Sequence, residues 1–158
     1  MTTDDLVGRP LAVLGRGANA LQPLFLLATR WYVSWQFLKS GWLKVTSWQS
    51  TLALFRDEYH VPLLPPHVAA VTGAFGELFF PVLLVLGLGG RIGPIGLFAV
   101  NAMAVISYRQ VLLAEGFEAA LAQHVLWGFM LLMLALFGLG SIALDRFVAA
   151  RLPSAKSW

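Results

Sequence analysis

Four apolar stretches of near-membrane-spanning length dominate this sequence. They lie near residues 22–44, 66–88, 92–108 and 121–144. Each approaches the roughly 20 residues that a helix needs to cross a hydrocarbon core of about 30 Å. A lipid-exposed backbone must satisfy its hydrogen bonds within its own element, which favours helices for runs of this length. The sequence therefore predicts an all-α integral membrane protein, a bundle of four helices.

The charged residues are too few for a soluble surface. The chain is 58% hydrophobic and 12% charged, whereas average soluble domains are about half apolar and about a quarter charged. Membrane lipid is accordingly the expected environment. The net charge of +3 does not point to nucleic acid, because no basic stripe with interleaved aromatic residues accompanies it.

Turn-forming residues separate the four stretches and indicate one domain. Three prolines interrupt VPLLPPH (61–67), and GLGGRIGP (87–94) is a glycine-rich turn. Neither segment can continue a regular helix. We expect a cytoplasmic lead-in over 1–21, a membrane domain over 22–148 and a cytoplasmic tail over 149–158.

The first loop contains its own helical pattern. In SWQSTLALFRDEY (47–59), Trp48, Leu52 and Phe55 recur at helical spacing, and charged residues follow them. This pattern is typical of a helix that lies in the membrane interface. The helix is expected either to anchor the loop at headgroup depth or to cover a cavity that opens outward.

The loop cations predict the orientation. Four crossings place both termini and the 87–91 turn on one side of the membrane. That side carries Arg9, Arg16, Arg91, Arg146, Arg151 and Lys156, and the other carries Lys44, Arg56 and Arg109. Because cytoplasmic loops are enriched in Lys and Arg, both termini are predicted to be cytoplasmic.

Ionisable residues inside the apolar stretches are the candidates for function. A charge near the bilayer centre costs roughly 2.5 to 3.5 kcal/mol, so it is seldom accidental. Glu77 lies in the middle of the second stretch and must be protonated, paired or facing a wet cavity. Arg30 lies at a comparable depth in the first stretch. An Arg30–Glu77 pair is the simplest expectation, with these two as candidate catalytic residues.

A second polar group is expected near the outer ends of the helices. Helical geometry places Arg30, Gly41 and Lys44 on one stripe and turns Lys39 away from it, where it can reach the outer headgroups. The candidate ligand-binding residues are Lys44, Gly41, Asn101, His124 and Lys39. Two interpretations remain open: these residues fix helix packing, or they line a pocket for a polar or redox-active headgroup.

The residue types limit the redox chemistry. The chain has no cysteine, so it cannot supply a thiol centre, an iron–sulfur cluster or a covalently bound c-type haem. Its three histidines form no metal-ligand spacing, and no metal site is expected. Any electron carrier must be diffusible, and a quinone suits an apolar cleft that holds one or two protonatable groups.

Three motifs in order resemble the DoxX family of bacterial membrane proteins. The first is Arg30 followed by FLKSGWLK, with Gly41 and Lys44. The second is the segment from VPLLPPH through Glu77 to GLGGR, and the third is FGLGSIALDRFV, which has Ala143 where a serine is usual. The matching turn residues, Gly87, Arg91, Asp145 and Arg146, are expected to be structural. The resemblance implies a four-helix inner-membrane bundle.

The resemblance also implies candidate functions. DoxX-type proteins are associated with quinol oxidases and quinone-linked thiosulfate oxidation, so the first hypothesis is a quinone-interacting subunit of a membrane redox system. If the chain is catalytic, it is expected to be a quinone-linked oxidoreductase subunit without a redox centre of its own. The alternative is a non-catalytic anchor or maturation partner for a periplasmic or membrane protein, in a stress- or metal-related operon. A protein partner or a homo-oligomer is expected in either case. Small-solute transport is less well supported, since no inverted repeat is detectable.

Overall fold

The computed structural model describes the backbone of residues 3–151 and the side chains of residues 13–151. All secondary structure in this part of the chain is helical, which confirms the all-α prediction. The seven helices are α1 (Thr3–Thr46), α2 (Trp48–Asp57), α3 (Pro66–Leu86), α4 (Ile92–Ser107), α5 (Arg109–Leu112), α6 (Glu118–Phe137) and α7 (Leu144–Arg151). Residues 152–158 of the expected tail lie outside the described residues.

The four longest helices pack around a common apolar core. Helix α1 packs against α3 and α6, and α4 packs against the same two helices. Side chains from all four meet in this core, with Val33, Phe37, Leu84, Leu97 and Leu131 among its buried members. The apolar stretches of the sequence therefore become neighbouring helices.

Two helices have the length and composition of membrane spans, α3 and α6. Helix α4 is apolar but shorter, at 16 residues. Helix α1 has 44 residues, which corresponds to about 66 Å at 1.5 Å per residue. It runs without interruption through the expected boundary at residue 21. The prediction of four membrane crossings stays a prediction.

Helix α2 confirms the helical pattern expected in the first loop. Thr51 and Phe55 are buried, and Phe55 packs with Trp48 and Leu52 against Ala69 and Ala70 of α3. The apolar stripe of α2 thus covers the N-terminal part of α3. Phe55 of α2 also lines a cavity between α2, α3 and α4, and both expected roles of this helix stay predictions.

Glycines with a positive φ end α3 and α6 where the sequence turns. Gly87 has φ 69°, and the amide of Leu88 donates to Leu83 O at 3.0 Å. This is a Schellman motif, in which a glycine without a Cβ satisfies the last carbonyls of a helix. Gly138 (φ 88°, ψ 175°) leaves the helical conformation and ends α6 at Phe137, earlier than the predicted limit of residue 144.

Candidate ligand site at a buried lysine–glutamate pair

Lys44 of α1 and Glu77 of α3 form a buried ion pair. The Lys44 ammonium donates to Glu77 Oε2 at 2.7 Å and Oε1 at 2.9 Å, and to Ser40 Oγ at 2.8 Å. An ammonium has three protons, so all of its donors are engaged. Glu77 is only 7% exposed, and its charge is balanced by a direct partner.

Gly41 makes this pair possible. A Cβ at Gly41 would lie 2.9 Å from Leu78 Cγ, closer than real Cβ atoms come, and 3.0 Å from Glu77 Cβ, which is tighter than most real Cβ contacts. The absent side chain lets α1 approach α3 at the level of Glu77. Lys44 follows one helical turn later on the same face, which brings its ammonium to the carboxylate.

The prediction that Arg30 pairs with Glu77 is wrong. Arg30 is 1% exposed and donates only to backbone carbonyls. Its Nε binds Leu84 O at 2.8 Å, its Nη1 binds Ile142 O at 2.5 Å and Leu139 O at 3.3 Å, and its Nη2 binds Val85 O. The guanidinium therefore joins α1 to the end of α3 and to the segment after α6.

Helix register explains this difference. Gly41 sets the register of α1 against Glu77 and Leu78, and Arg30 lies about three turns earlier on α1. In the antiparallel partner α3, this level corresponds to the last turn rather than to the middle of the helix. The C-terminal carbonyls of a helix carry partial negative charge, so they accept and stabilise a buried guanidinium without a carboxylate.

An apolar cavity of about 300 Å³ lies between α2, α3 and α4. Carbon-rich side chains, including Phe55, Phe80 and Met103, line most of its wall, and Lys44 and Glu77 close one side. Ser107 also faces it. The Ser107 hydroxyl is buried, with the residue 2% exposed, and has no hydrogen-bond partner among the described residues.

A second, smaller cavity of about 190 Å³ lies on the other side of the ion pair. Its lining is more polar and includes Ser40, Tyr108, His124 and Trp127. The indole nitrogen of Trp127 is buried and lacks a partner among the described residues. Tyr59, Lys44 and Glu77 line both cavities, so the ion pair forms part of a shared wall.

Tyr59 lies beside this wall, between α2 and α3. Burial, followed by the negative charge of Glu77, raises the pKa of the Tyr59 phenol to about 12. The phenol is therefore neutral at physiological pH and remains able to donate a hydrogen bond. Tyr108 is close to the Tyr59 ring, with 4.8 Å between the ring centroids. Its hydroxyl donates to Glu58 Oε2 at 3.0 Å.

Asn101 and His124 join α4 to α6. The Asn101 amide nitrogen donates to His124 O at 3.0 Å, and Asn101 Oδ1 lies 2.9 Å from His124 Nδ1. Since Oδ1 can only accept, this arrangement places a proton on Nδ1. When the imidazole is neutral, Nε2 is then its acceptor. His124 thus has one nitrogen committed to helix packing while its side chain borders the polar cavity.

The other predicted residues fall into two groups. Lys39 is exposed on α1 and lines neither of the two cavities beside the ion pair, in agreement with its expected direction away from the Arg30 stripe. The turn residues meet at the far ends of α3 and α6. There the Gly90 amide donates to Asp145 Oδ2 at 2.6 Å, and Arg91 donates to Leu136 O at 3.3 Å. Among the described residues, no group of three or more metal-ligating side chains occurs.

Sequence reasoning did not identify Tyr59, Ser107 and Trp127 as site residues. Tyr59 and Ser107 are common residues at or near a helix end, and Trp127 lies in the middle of α6 among apolar neighbours. No local pattern marks any of the three as a site residue. Only the packing of α2 and α6 against the core reveals that these side chains face cavities. The proximity of Tyr59 to the proline-rich loop was the single available signal.

The described part of the chain is thus an all-helical bundle with two helices of membrane-spanning length and composition and a buried ion pair. The DoxX family profile matches residues 25–110, more than half of the chain. The protein belongs to the DoxX family, which places it among membrane proteins in contact with lipid. No curated protein and no solved structure matches this chain.

Proposed function

We propose that this DoxX protein binds the headgroup of a quinone or quinol beside Lys44 and Glu77, as a subunit of a redox-linked membrane system. One observation carries the proposal: the buried ion pair separates an apolar cavity from a polar one. A quinone has this same division, because its polar ring oxygens are joined to an apolar ring and tail. Ligand sites combine a mostly apolar wall with a few polar groups in the same way.

The apolar cavity offers suitable size and an unused donor. At about 300 Å³ it lies at the lower end of the volumes typical of small-molecule sites. The buried Ser107 hydroxyl has no partner within the described part of the chain, and an unsatisfied buried polar group costs roughly 1–3 kcal/mol. A ligand carbonyl oxygen in the cavity would accept this hydrogen bond and remove the penalty.

Each residue of the site has a different role in this proposal. A bound quinol would supply two electrons and two protons on oxidation to a quinone. The Glu77 carboxylate would accept the two protons one after the other and pass each to the polar cavity, while Lys44, whose three protons are already engaged, holds that carboxylate in place. Ser107 and the neutral Tyr59 phenol would donate hydrogen bonds to ring oxygens. Both electrons would pass to an acceptor in a partner protein of the redox system.

The polar cavity provides a route for the proton. His124 and Tyr108 border it together with Glu77, and Tyr108 bonds to the exposed Glu58. Titratable groups therefore extend from the buried carboxylate toward the surface near the start of α5. In the proposed orientation this surface faces away from the cytoplasm, in a multi-pass inner-membrane protein with both termini cytoplasmic.

Native mass spectrometry of the protein, purified in mild detergent from its own membrane, tests the proposal. We expect a retained mass that matches a quinone in the wild type and in the control Glu115→Gln, which alters an exposed carboxylate outside both cavities. Glu77→Gln and Ser107→Ala should both lose it. Ser107→Ala is the sharper variant, because it leaves the ion pair intact and is expected to keep the fold.

Other results would overturn the quinone proposal. If the wild type retains no quinone, or if Ser107→Ala and Glu77→Gln retain as much as the wild type, the cavities are not a quinone site. A stoichiometric partner polypeptide without quinone would favour the anchor or maturation function. In that case the Lys44–Glu77 pair would be structural.

A further inference from the structure

A separate polar cavity of about 740 Å³ lies at the opposite ends of α3 and α6. The end of α6, the 87–91 turn, the segment before α7 and part of α1 enclose it. Its polar lining includes Arg91, Arg146, Asp145, Ser141 and Gln22. Both candidate membrane spans end here, at Leu86 and Phe137, so in a spanning protein this cavity is at the boundary between lipid and water.

The charges of this cavity are not balanced within the described residues. The Asp145 carboxylate accepts the Gly90 amide at 2.6 Å. Arg91 makes one long hydrogen bond, 3.3 Å, to Leu136 O. No carboxylate of the described side chains lies within ion-pair distance of Arg91 or Arg146. Two guanidiniums therefore face one cavity with a single carboxylate.

Helix stability does not explain Arg146. It lies in the first turn of α7, where the helix dipole disfavours a cation. Arg30 and Arg91, in contrast, donate to carbonyls in the last turns of α3 and α6, where a cation is stabilising. An anion bound in the cavity would offset the unfavourable interaction of Arg146 with the helix dipole. The same anion would also contact Arg91.

We propose that this cavity binds a phosphate group, carried by an anionic phospholipid of the membrane. Guanidinium groups donate paired hydrogen bonds that match phosphate oxygens, and Ser141 and Gln22 add neutral donors. Basic pockets at the membrane boundary between helices are suited to lipid headgroups. Apolar side chains continue from the cavity, and Phe137, which lines it, is 80% exposed. Such a surface suits the acyl chains that leave a bound headgroup.

Lipid titration of the delipidated full-length protein tests this site. Phosphatidylglycerol and phosphatidylcholine are added separately in detergent, and native mass spectrometry measures the lipid bound per chain. We expect the wild type to prefer phosphatidylglycerol. Arg146→Gln should weaken this binding about fivefold, because one arginine near a lipid surface contributes about 1 kcal/mol. The control Arg151→Gln, on the same helix but outside the cavity, should bind as the wild type does.

A titration with inorganic phosphate shows whether the site binds free phosphate or the phosphate of a lipid headgroup. The site binds free phosphate if two results hold. The ³¹P NMR signal of inorganic phosphate broadens when wild type is added but not when Arg146→Gln is added, and phosphate displaces phosphatidylglycerol. If phosphate has no effect while phosphatidylglycerol binds, the lipid is the ligand. Equal phosphatidylglycerol binding by wild type and Arg146→Gln, or equal losses in Arg146→Gln and Arg151→Gln, would overturn the proposal. Unchanged helicity and unfolding temperature exclude misfolding as the cause of a loss.

Discussion

At the scale of single residues, Gly41 controls the distance between α1 and α3. Gly41→Ala places a methyl group against Leu78 Cγ and the Glu77 backbone, and the backbone cannot move aside cheaply. We expect overpacking to cost roughly 1–3 kcal/mol, which exceeds the roughly 0.5–1 kcal/mol that alanine contributes to a helix. The unfolding temperature in detergent should therefore fall.

Gly17→Ala is the matched control for this prediction. Gly17 lies in the same helix, and nothing is within 4 Å of a Cβ built there. This variant should keep or raise the unfolding temperature. An equal fall in both variants would show that the close contact at Gly41 is not what limits stability.

Tyr59 provides a pH-dependent test of the candidate site. Its folded pKa of about 12 is above the usual value of about 10. Its contribution to stability is complete below about pH 10, because the phenol is protonated in both states. As pH rises through the folded pKa, the unfolded chain ionises first and that contribution is lost. In Tyr59→Phe the free energy of unfolding should therefore fall less steeply as the pH rises above about 10.

Ultraviolet absorbance measures this ionisation directly. The tyrosinate signal of Tyr59→Phe, subtracted from that of the wild type, isolates Tyr59 from the other two tyrosines. A midpoint of the difference near pH 12 is expected. A midpoint near the usual value would mean that Tyr59 is neither buried nor close to the Glu77 charge.

At the scale of helices and segments, Arg30 of α1 joins its own helix to α3 and to the segment after α6 by hydrogen bonds. Its guanidinium donates to α3 through Leu84 and Val85 and to the segment after α6 through Leu139 and Ile142. Arg30→Gln removes the charge and leaves buried carbonyls without donors. Since each such group costs roughly 1–3 kcal/mol, we expect the unfolding free energy to fall by about 3 kcal/mol or more.

Two further variants separate charge from geometry. Arg30→Lys keeps the charge but loses the planar fork, so its unfolding temperature should lie between those of wild type and Arg30→Gln. The exposed Arg56 serves as the control, and Arg56→Gln should change little. If Arg30→Gln unfolds at the wild-type temperature, the carbonyl contacts do not stabilise the packing.

At the scale of the whole molecule, the absence of cysteine permits a direct test of membrane topology. Single cysteines can replace Ser50 in α2, Glu115 after α5 and Ser141 before α7, which are all exposed. With four crossings, a membrane-impermeant maleimide should label positions 50 and 115 from the outside of intact spheroplasts. Position 141 should react only after permeabilisation. Labelling of all three from one side would contradict the four-crossing topology and the cytoplasmic placement of the termini.

The sequence by itself determined the helical class, the places where the chain turns and the inner face of α1. Helix α3 was predicted over 66–88 and extends over Pro66–Leu86, since prolines begin it and Gly87 ends it. Helix α4 was predicted over 92–108 and extends over Ile92–Ser107. These features depend on local chemistry, namely apolar run length, proline and glycine. The Arg30, Gly41 and Lys44 stripe was predictable because it requires only the helical repeat.

The tertiary structure alone decided which charges meet. Arg30 and Glu77 appeared to be at one depth, but the register between α1 and α3 depends on a close contact at Gly41. That contact pairs Glu77 with Lys44 and places Arg30 on helix-end carbonyls. The cavities, with the unpartnered Ser107 and Trp127 donors, depend on how α2 and α6 pack. Periodicity specifies the face of a helix on which a side chain lies, but interhelical contacts fix its level along the axis and therefore its partner.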